Sequence, residues 1–188
     1  MMRVIRRGDL AWTPWKNGGG MMADLAVSPA GADFDRADWR VSMAKVERDS
    51  VFSQFPGMDR GMMLIAGDSL ELHMDNADPQ VVRGLGAAVE FPGDGPTRGV
   101  PRHGPIENLN VMVRRGITQH RMIRWTCEGA SWLTVPAGGT TIAYVQHGDV
   151  PLPGVDDCVL HAGDTIVTTR PTRIYGTADL IEINLWPA

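Results

Sequence analysis

Short runs of apolar and β-branched residues, bounded by Gly, Pro, Asp or Asn, dominate this sequence. The segment "DSLELHMD" shows the pattern most clearly, because Leu70, Leu72 and Met74 alternate with polar residues. A period of two is typical of a half-buried strand, and few windows show the i, i+3, i+4, i+7 spacing of a helix. Many short strands separated by turn residues predict an all-β sandwich or barrel. The other predicted strands are "WRVSMAKV", "GMMLIAG", "AAVEF", "WLTVP", "TTIAYVQ", "CVLHAGDTIVTT" and "DLIEINLW".

Gly-Asp pairs lie between several of these runs, at Gly67-Asp68, Gly148-Asp149 and Gly163-Asp164. At each pair the glycine is expected to supply the positive φ of a tight hairpin turn. The segment 91–107, "FPGDGPTRGVPRHGPIE", is instead dense in Gly and Pro. Its composition and length predict a long functional or mobile loop.

Two of the Gly-Asp pairs have similar surroundings, which suggests a repeat. "MLIAGDSL" resembles "YVQHGDVP" with the glycines 81 positions apart (148 minus 67), and Asp75-Asn76 matches Asp156-Asp157 downstream. This spacing predicts an internal duplication with one β-unit at 1–117 and a second at 118–188. Chance resemblance between common hairpins is the alternative.

Composition narrows the classes of function. The chain has 188 residues and a formal net charge of −4, which argues against a nucleic-acid partner because such proteins usually present a basic face. No apolar run approaches the roughly 18 residues of a membrane helix, and no signal peptide is expected, so the predicted compartment is the cytoplasm. Cys127 and Cys158 are interpreted as reduced and buried, with a disulfide as the alternative.

The segment "PWKNGGG", residues 14–20, carries one of only two lysines in the chain. It is not a phosphate-binding P-loop, because that motif places its Lys after the glycines and before a helix, whereas "MMADLAVSP" here reads as a strand. It is not a flexible linker either, because Trp12 and Trp15 flank it and favour burial. Two interpretations remain, and they are compatible: a glycine-rich bend at a barrel corner, and a place where the backbone approaches a ligand.

Four motifs carry a resemblance to a known family. "PWKNGGG", "WRVSMAKV", "FSQFPGMDR" and "NLNVMVRR" occur in this order and together resemble the HutD/Ves family of bacterial proteins, strongly over about residues 10–117 and loosely beyond. The resemblance implies a double cupin fold, which agrees with the predicted duplication. It also implies a link to histidine utilisation and an accessory or regulatory role instead of an established enzymatic one.

The sequence departs from this family's pattern at two places. Met22 and Asp24 stand where the family generally has Thr and Glu, and Asn108 stands where it generally has Asp. Both departures change the polarity expected of a pocket formed by these segments.

Metal binding is common among cupins, which use two His and a Glu placed seven residues before a turn glycine. In this chain that position holds Arg60 in the first unit and Thr141 in the second, and no His pair precedes either. Arginine would place positive charge where the cation should sit. No metal and no cofactor are therefore predicted, and a site assembled from His147 and His161 is the alternative.

Arg60 is the leading candidate for ligand binding, because the cupin register would point it into the barrel. Its planar guanidinium suits a carboxylate, and its partner is Asp59, another carboxylate or a bound anion. An internal salt bridge is the alternative function of this arginine.

In two strand-like runs the two-residue period predicts which side chains share a face. Arg40 and Ser42 share a face in one run, and Asn110, Met112 and Arg114 share a face in the other. A solvated sheet face is the alternative. The predicted ligand-binding residues are Trp15, Lys16, Asn17, Gly18, Arg40, Ser42, Ser53, Asp59, Arg60, Asn110, Met112 and Arg114.

The positive balance of these residues predicts a small carboxylate or other anionic metabolite as the partner, bound without catalysis. The resemblance implies an intermediate of histidine breakdown, such as urocanate or formylated glutamate. A metal-independent isomerase or hydrolase is the alternative, with Asp24, Asp59, Glu71 and His73 as candidate acids and bases. A third interpretation is self-association, to a homodimer, through surface left by six Trp and eleven Met.

Overall fold

A computed structural model describes residues 1–75, 77–154 and 158–188. The matching pairs Asp75-Asn76 and Asp156-Asp157 of the predicted repeat therefore lie partly outside the described residues. Those residues form one short 3-10 helix at Arg7–Asp9 and eighteen strands: β1 (Met2–Ile5), β2 (Thr13–Pro14), β3 (Gly20–Ser28), β4 (Trp39–Val46), β5 (Ser50–Phe52), β6 (Met58–Ala66), β7 (Ser69–Met74), β8 (Gln80–Arg83), β9 (Ala88–Pro92), β10 (Thr97–Arg102), β11 (Ile106–Arg114), β12 (Thr118–Glu128), β13 (Ser131–Leu133), β14 (Thr140–Pro151), β15 (Val159–Leu160), β16 (Thr165–Thr168), β17 (Thr172–Ile174) and β18 (Thr177–Pro187).

The predicted all-β architecture is confirmed, and each apolar run quoted from the sequence contains or overlaps a strand. β7 shows why the alternation of apolar and polar residues predicts a half-buried strand correctly. Leu70 and Leu72 are fully buried, whereas Glu71 and His73 between them are only half-buried. Among the described residues, no helix has the length and apolar character that a membrane-spanning helix needs.

The first compact unit, residues 11–117, contains two antiparallel sheets. The larger has the strand order β2-β3-β4-β11-β6-β9 and the smaller the order β5-β10-β7-β8. Its core draws Val46, Met62 and Ile106 from the larger sheet and Phe52 and Leu72 from the smaller one. The apolar contact between the two sheets therefore stabilises this unit.

The second compact unit comprises residues 1–10 and 118–188. Its main sheet has the order β1-β16-β14-β18-β12, with β15 also paired to β14, and β13 pairs with β17. The first ten residues, which the sequence division grouped with the first unit, lie here because β1 pairs with β16 from Met2↔Thr168 to Ile5↔Thr165. Cys127 and Cys158 are free; Cys127 is buried and Cys158 is half-buried.

The three Gly-Asp glycines have the predicted positive φ, with values of 90° at Gly67, 84° at Gly148 and 93° at Gly163. The prediction that they close hairpins is wrong. Gly67 joins β6 to β7, which lie in different sheets, Gly148 lies inside β14, and Gly163 joins two strands that each pair with β14. Positive φ redirects the chain at a corner between sheets as readily as it closes a hairpin, so the dipeptide alone does not distinguish the two.

The predicted long loop at 91–107 is also wrong, because β10 lies inside it and pairs with β7 along its whole length. The Gly and Pro residues fit for positional reasons. A side chain at Gly99 would collide with the Phe52 ring. Pro101 lies beyond the part of β10 that β5 covers, so its missing N–H costs no strand pairing on that side.

Candidate functional site

A cavity of about 510 Å³ lies within the first unit. Its wall contains alternate residues of three adjacent strands of the larger sheet: Ser42, Ala44 and Val46 from β4, Asn108, Asn110 and Met112 from β11, and Arg60 and Met62 from β6. The two-residue period brings these side chains to one face. The remaining wall residues are Thr13, Pro14, Trp15, Lys16, Asn17, Met22, Phe34, Val51, Phe52, Ser53 and Phe55.

The "PWKNGGG" segment forms the hairpin loop between β2 and β3. The Trp15 amide donates to the Gly20 carbonyl at 2.9 Å, which closes the loop. The Asn17 side chain braces it, because its Nδ2 donates to the Val51 carbonyl at 2.9 Å and its Oδ1 accepts from the Gly19 amide at 3.0 Å. Lys16 is exposed at the cavity wall, and no described ion pair includes it.

Arg60 places a positive charge in the cavity wall while only 8% of the residue is exposed. Its Nη2 donates to Asn110 Oδ1 at 2.9 Å, but its Nε has no hydrogen-bond partner among the described residues. No described carboxylate forms an ion pair with it, and burial lowers the pKa of the guanidinium to about 10. The group therefore remains charged at neutral pH without a counter-ion from the described part of the chain.

Aromatic rings provide much of the surroundings of this guanidinium. Its carbon lies 5.5 Å from the ring centroid of Phe52, 5.6 Å from Phe55 and 4.9 Å from Phe91. Phe34 stacks on Phe55 at 4.6 Å and extends the aromatic wall. The ring faces offer partial electrostatic stabilisation, which is weaker than an anion provides.

Asn108 lies on the same face of β11 as Asn110 and is only 1% exposed. Its Oδ1 has no hydrogen-bond partner in the part of the chain that the structure describes. Its cross-strand neighbours are Ala44 on β4 and Leu64 on β6, and neither side chain has a polar group. The cavity wall therefore contains a buried acceptor as well as a buried donor without partners.

Eight of the twelve predicted ligand-binding residues line the cavity: Trp15, Lys16, Asn17, Ser42, Ser53, Arg60, Asn110 and Met112. The other four make contacts elsewhere. Arg40 forms an ion pair with Asp24 and lies over the Phe34 ring at 4.0 Å, and the Gly18 carbonyl accepts a hydrogen bond from Arg48.

Arg114 and Asp59 also lie outside the cavity wall. The Arg114 guanidinium donates to three carbonyls of the segment 34–37, at 3.0, 3.3 and 2.8 Å, and so holds that segment in place. Asp59 is not the partner of Arg60, because it accepts hydrogen bonds from Arg115 at 3.1 and 2.6 Å. Adjacent residues of a strand point to opposite faces, which separates Asp59 from Arg60.

Sequence reasoning missed most of the apolar wall. The two-residue period that placed Ser42 also extends to Ala44 and Val46, and Asn110 likewise implies Asn108, so these residues had a signal. Met22 and Asn108 were noted only as departures from the family pattern, and both line the cavity. Met62 follows Arg60 by the same two-residue period, and the wall residues without such a signal are Thr13, Pro14, Phe34, Val51, Phe52 and Phe55.

Proton-transfer groups are scarce in the wall. Its described residues include no Asp, Glu, His or Cys. Of the candidate acids and bases, Asp24 pairs with Arg40, and Glu71 pairs with His73 at 2.7 Å outside the cavity. The described residues also contain no cluster of three or more His, Cys, Asp or Glu that could hold a metal.

Asp59→Asn is expected to leave carboxylate binding unchanged, because this exposed side chain contacts Arg115 and does not reach the cavity. Exposed ion pairs contribute little, so stability should also change little. Isothermal titration with a small carboxylate, alongside urea unfolding, measures both quantities. A marked loss of affinity in Asp59→Asn would contradict this placement and would support a role for Asp59 at the site.

Comparison with known proteins agrees with this architecture. The sequence model of the HutD family matches residues 7–181. The structure of HutD from Pseudomonas fluorescens SBW25 is 23% identical, with a TM-score of 0.80 over 99% of this chain and 100% of that one. A cupin 2 conserved barrel domain protein from Leptotrichia buccalis, at 11% identity, shares the fold with a TM-score of 0.63 over 96% of this chain and 95% of that one.

Curated sequences give shorter matches. An uncharacterized 21.2 kDa protein in the hutC 3' region of Pseudomonas putida is 34% identical over 39% of this chain and 38% of that protein. The chain spans about half or less of the length of the curated relatives it matches. The resemblance to HutD and Ves proteins and the double cupin fold are both confirmed. The chain belongs to the HutD family.

Proposed function

We propose that this chain is a non-catalytic cytoplasmic protein that binds a small carboxylate, with an accessory or regulatory role in histidine utilisation. The observation that carries the proposal is Arg60, a buried cation in a cavity wall without a described counter-ion. The association with histidine utilisation rests on membership in the HutD family.

The energetics of Arg60 favour an anionic ligand. A buried charge is costly unless it is paired and hydrogen-bonded, and the aromatic rings around this guanidinium compensate only partly. Nη2 already donates to Asn110, whereas Nε retains an unused N–H. A carboxylate entering the cavity would lie against the guanidinium and supply the missing negative charge.

The rest of the wall favours binding over catalysis. Lys16 adds a second positive charge, and no described carboxylate in the wall neutralises either cation. Acid–base catalysis needs a titratable group within reach of the reacting atom, and the described wall offers no carboxylate or imidazole for this task. A mostly apolar cavity with a few polar groups is typical of a small-molecule binding site.

Small carboxylates are expected to stabilise the protein in thermal unfolding, whereas neutral amides of the same size are not. A ligand at ten times its dissociation constant adds about 1.4 kcal/mol, which for a chain of this length raises the Tm by about 3–6 °C. Formate, acetate, urocanate and N-formylglutamate are the probes, acetamide is the neutral control, and chloride controls for ionic strength. Equal shifts with acetate and acetamide, or no shift with any carboxylate at millimolar concentration, would overturn the proposal.

A further inference from the structure

We propose that the ligand is a carboxylate with a flat aromatic ring, which stacks on Phe55 while its carboxylate lies against the Arg60 guanidinium. This inference rests on the proposed function, because it assumes that Arg60 binds the carboxylate. It narrows the ligand from small carboxylates in general to aromatic ones, and it names Phe55 as the residue that selects them.

The large apolar side chains of the cavity wall are of two kinds. Among the described wall residues, every apolar side chain larger than valine is an aromatic ring or a methionine: Trp15, Phe34, Phe52, Phe55, Met22, Met62 and Met112. The core cluster of the same unit, by contrast, also contains Leu64, Leu70, Leu72 and Ile106. Rings and thioethers make favourable contacts with an aromatic group that aliphatic side chains do not make, so this wall favours a ligand with a ring.

Phe34 and Phe55 form a stack in which Phe34 is the supporting ring. Their centroids are 4.6 Å apart, and the Arg40 guanidinium carbon lies 4.0 Å from the Phe34 centroid. Both contacts are too short to share one ring face, so Arg40 and Phe55 cover opposite faces of Phe34. Phe55 is half-buried and lines the cavity, and no described ring other than Phe34 stacks on it. It is therefore the ring that can receive an aromatic ligand.

The distance from Phe55 to Arg60 suits a ring that carries a carboxylate. The guanidinium carbon lies 5.6 Å from the Phe55 centroid, which is a looser contact than the 4.0 Å between Arg40 and Phe34. Paired aromatic rings have centroids about 4.5–7 Å apart, so a ligand ring on Phe55 would have its carboxylate within reach of Arg60. The cavity volume of about 510 Å³ has room for such a ring.

Pairs of aromatic and saturated acids test this selection directly. Benzoate with cyclohexanecarboxylate, phenylacetate with cyclohexylacetate, and 3-phenylpropanoate with 3-cyclohexylpropanoate share a carboxylate and a spacer and differ only in the ring. Burial of apolar area alone favours the saturated member, because a cyclohexyl group has more apolar surface than a phenyl ring. At the spacer length that binds best, we expect the aromatic member to bind about three- to tenfold more tightly by isothermal titration at pH 7, since ring–ring contacts add to area burial.

Three variants locate the preference at Phe55. Phe55→Leu keeps an apolar side chain without the ring, so the aromatic preference should disappear while the saturated acid binds much as before. Phe55→Tyr keeps the ring and should keep the preference. Phe91→Leu is the matched control, because the Phe91 ring lies 4.9 Å from the guanidinium carbon but does not line the cavity. It should change the affinities of both members of a pair by the same factor.

The outcomes separate the two proposals. If none of these acids binds, the proposed function fails and this inference fails with it. If the saturated acids bind the unmodified protein as tightly as the aromatic acids, or more tightly, at all three lengths, the proposed function stands and the aromatic selection is overturned. An aromatic preference that persists in Phe55→Leu, or that Phe91→Leu removes as well, would overturn the role of Phe55.

Discussion

Replacing Arg60 with methionine is expected to raise the free energy of unfolding and to weaken carboxylate binding severely in the same variant. Burial lowers the pKa of this guanidinium to about 10, which corresponds to about 3 kcal/mol of unfavourable free energy for keeping the charge in the folded state. Methionine fills similar apolar space without the charge. The lost hydrogen bond leaves Asn110 Oδ1 without its partner, so we expect a net gain of about 1–3 kcal/mol.

The pH dependence of this penalty follows from its sign. Because the pKa of Arg60 is lower in the folded state, the unfolded chain binds more protons between about pH 10 and the ordinary pKa of arginine. The penalty is therefore fully present below about pH 10 and is relieved only as the pH rises through that window. At neutral pH, Arg60→Met should show its full stabilising effect, and between pH 6 and 8 the difference from the unmodified protein should stay constant.

Urea unfolding at pH 7 and isothermal titration with acetate measure the two effects. Carboxylate affinity should fall about 100-fold or more, since a charge-assisted contact and its counter-ion are lost together. Arg98→Met is the matched control: it removes an exposed arginine that pairs with Asp49 outside the cavity, so binding should not change. Lower stability of Arg60→Met would show that the guanidinium already has a compensating partner in the free protein.

Much of the strand content was predictable because most of the longer strands of this fold have local cues. In β7 the alternation of residues fixes which face is buried, and in β4 "WRVSMAKV" coincides with the whole strand. Sheet membership was not predictable in the same way. Whether Gly67 closes a hairpin or a corner depends on which distant strand β7 joins, and that partner is β10, a strand hidden in a segment rich in Gly and Pro.

The candidate site was predictable where a polar residue marks an inward face. Arg60, Ser42 and Asn110 follow the two-residue period and line the cavity. Arg40 and Arg114 obey the same period, but Arg40 lies two residues before Ser42 and Arg114 two residues after Met112, where the side chains reach Asp24 or loop carbonyls instead. The two-residue period alone predicts which face of a strand a side chain lies on. It does not predict whether that position along the strand lies beside the cavity.

The aromatic part of the wall had no comparable cue. Phe34 and Phe55 lie outside the strands, and the chain's tertiary contacts bring them together at 4.6 Å. Their role depends on Arg60, because the Phe55 ring centroid lies 5.6 Å from the guanidinium carbon of this buried cation. The same chemistry explains why the cation tolerates burial in the absence of a carboxylate from the described residues.

Gly20→Ala is expected to lower the free energy of unfolding by about 3 kcal/mol, although it adds a single methyl group. Gly20 opens β3 opposite Val46, and a side chain there would collide with the carbonyl oxygen of Lys45 and lie 3.3 Å from the Trp15 ring. The Lys45 carbonyl belongs to the backbone of β4, so no rotamer change relieves the collision. Relief requires movement of the hairpin loop, whose residues Trp15, Lys16 and Asn17 line the cavity.

Loss of stability in Gly20→Ala should therefore be accompanied by weaker carboxylate binding, which urea unfolding and isothermal titration measure separately. Gly95→Ala is the matched control in the same unit, because a side chain at Gly95 meets nothing within 4 Å and its φ is not positive. That control should change neither quantity appreciably. Equal stability of the two alanine variants would show that the backbone at Gly20 moves away from the Lys45 carbonyl at little cost in free energy. The close packing of this loop against β4 would then not explain its three glycines.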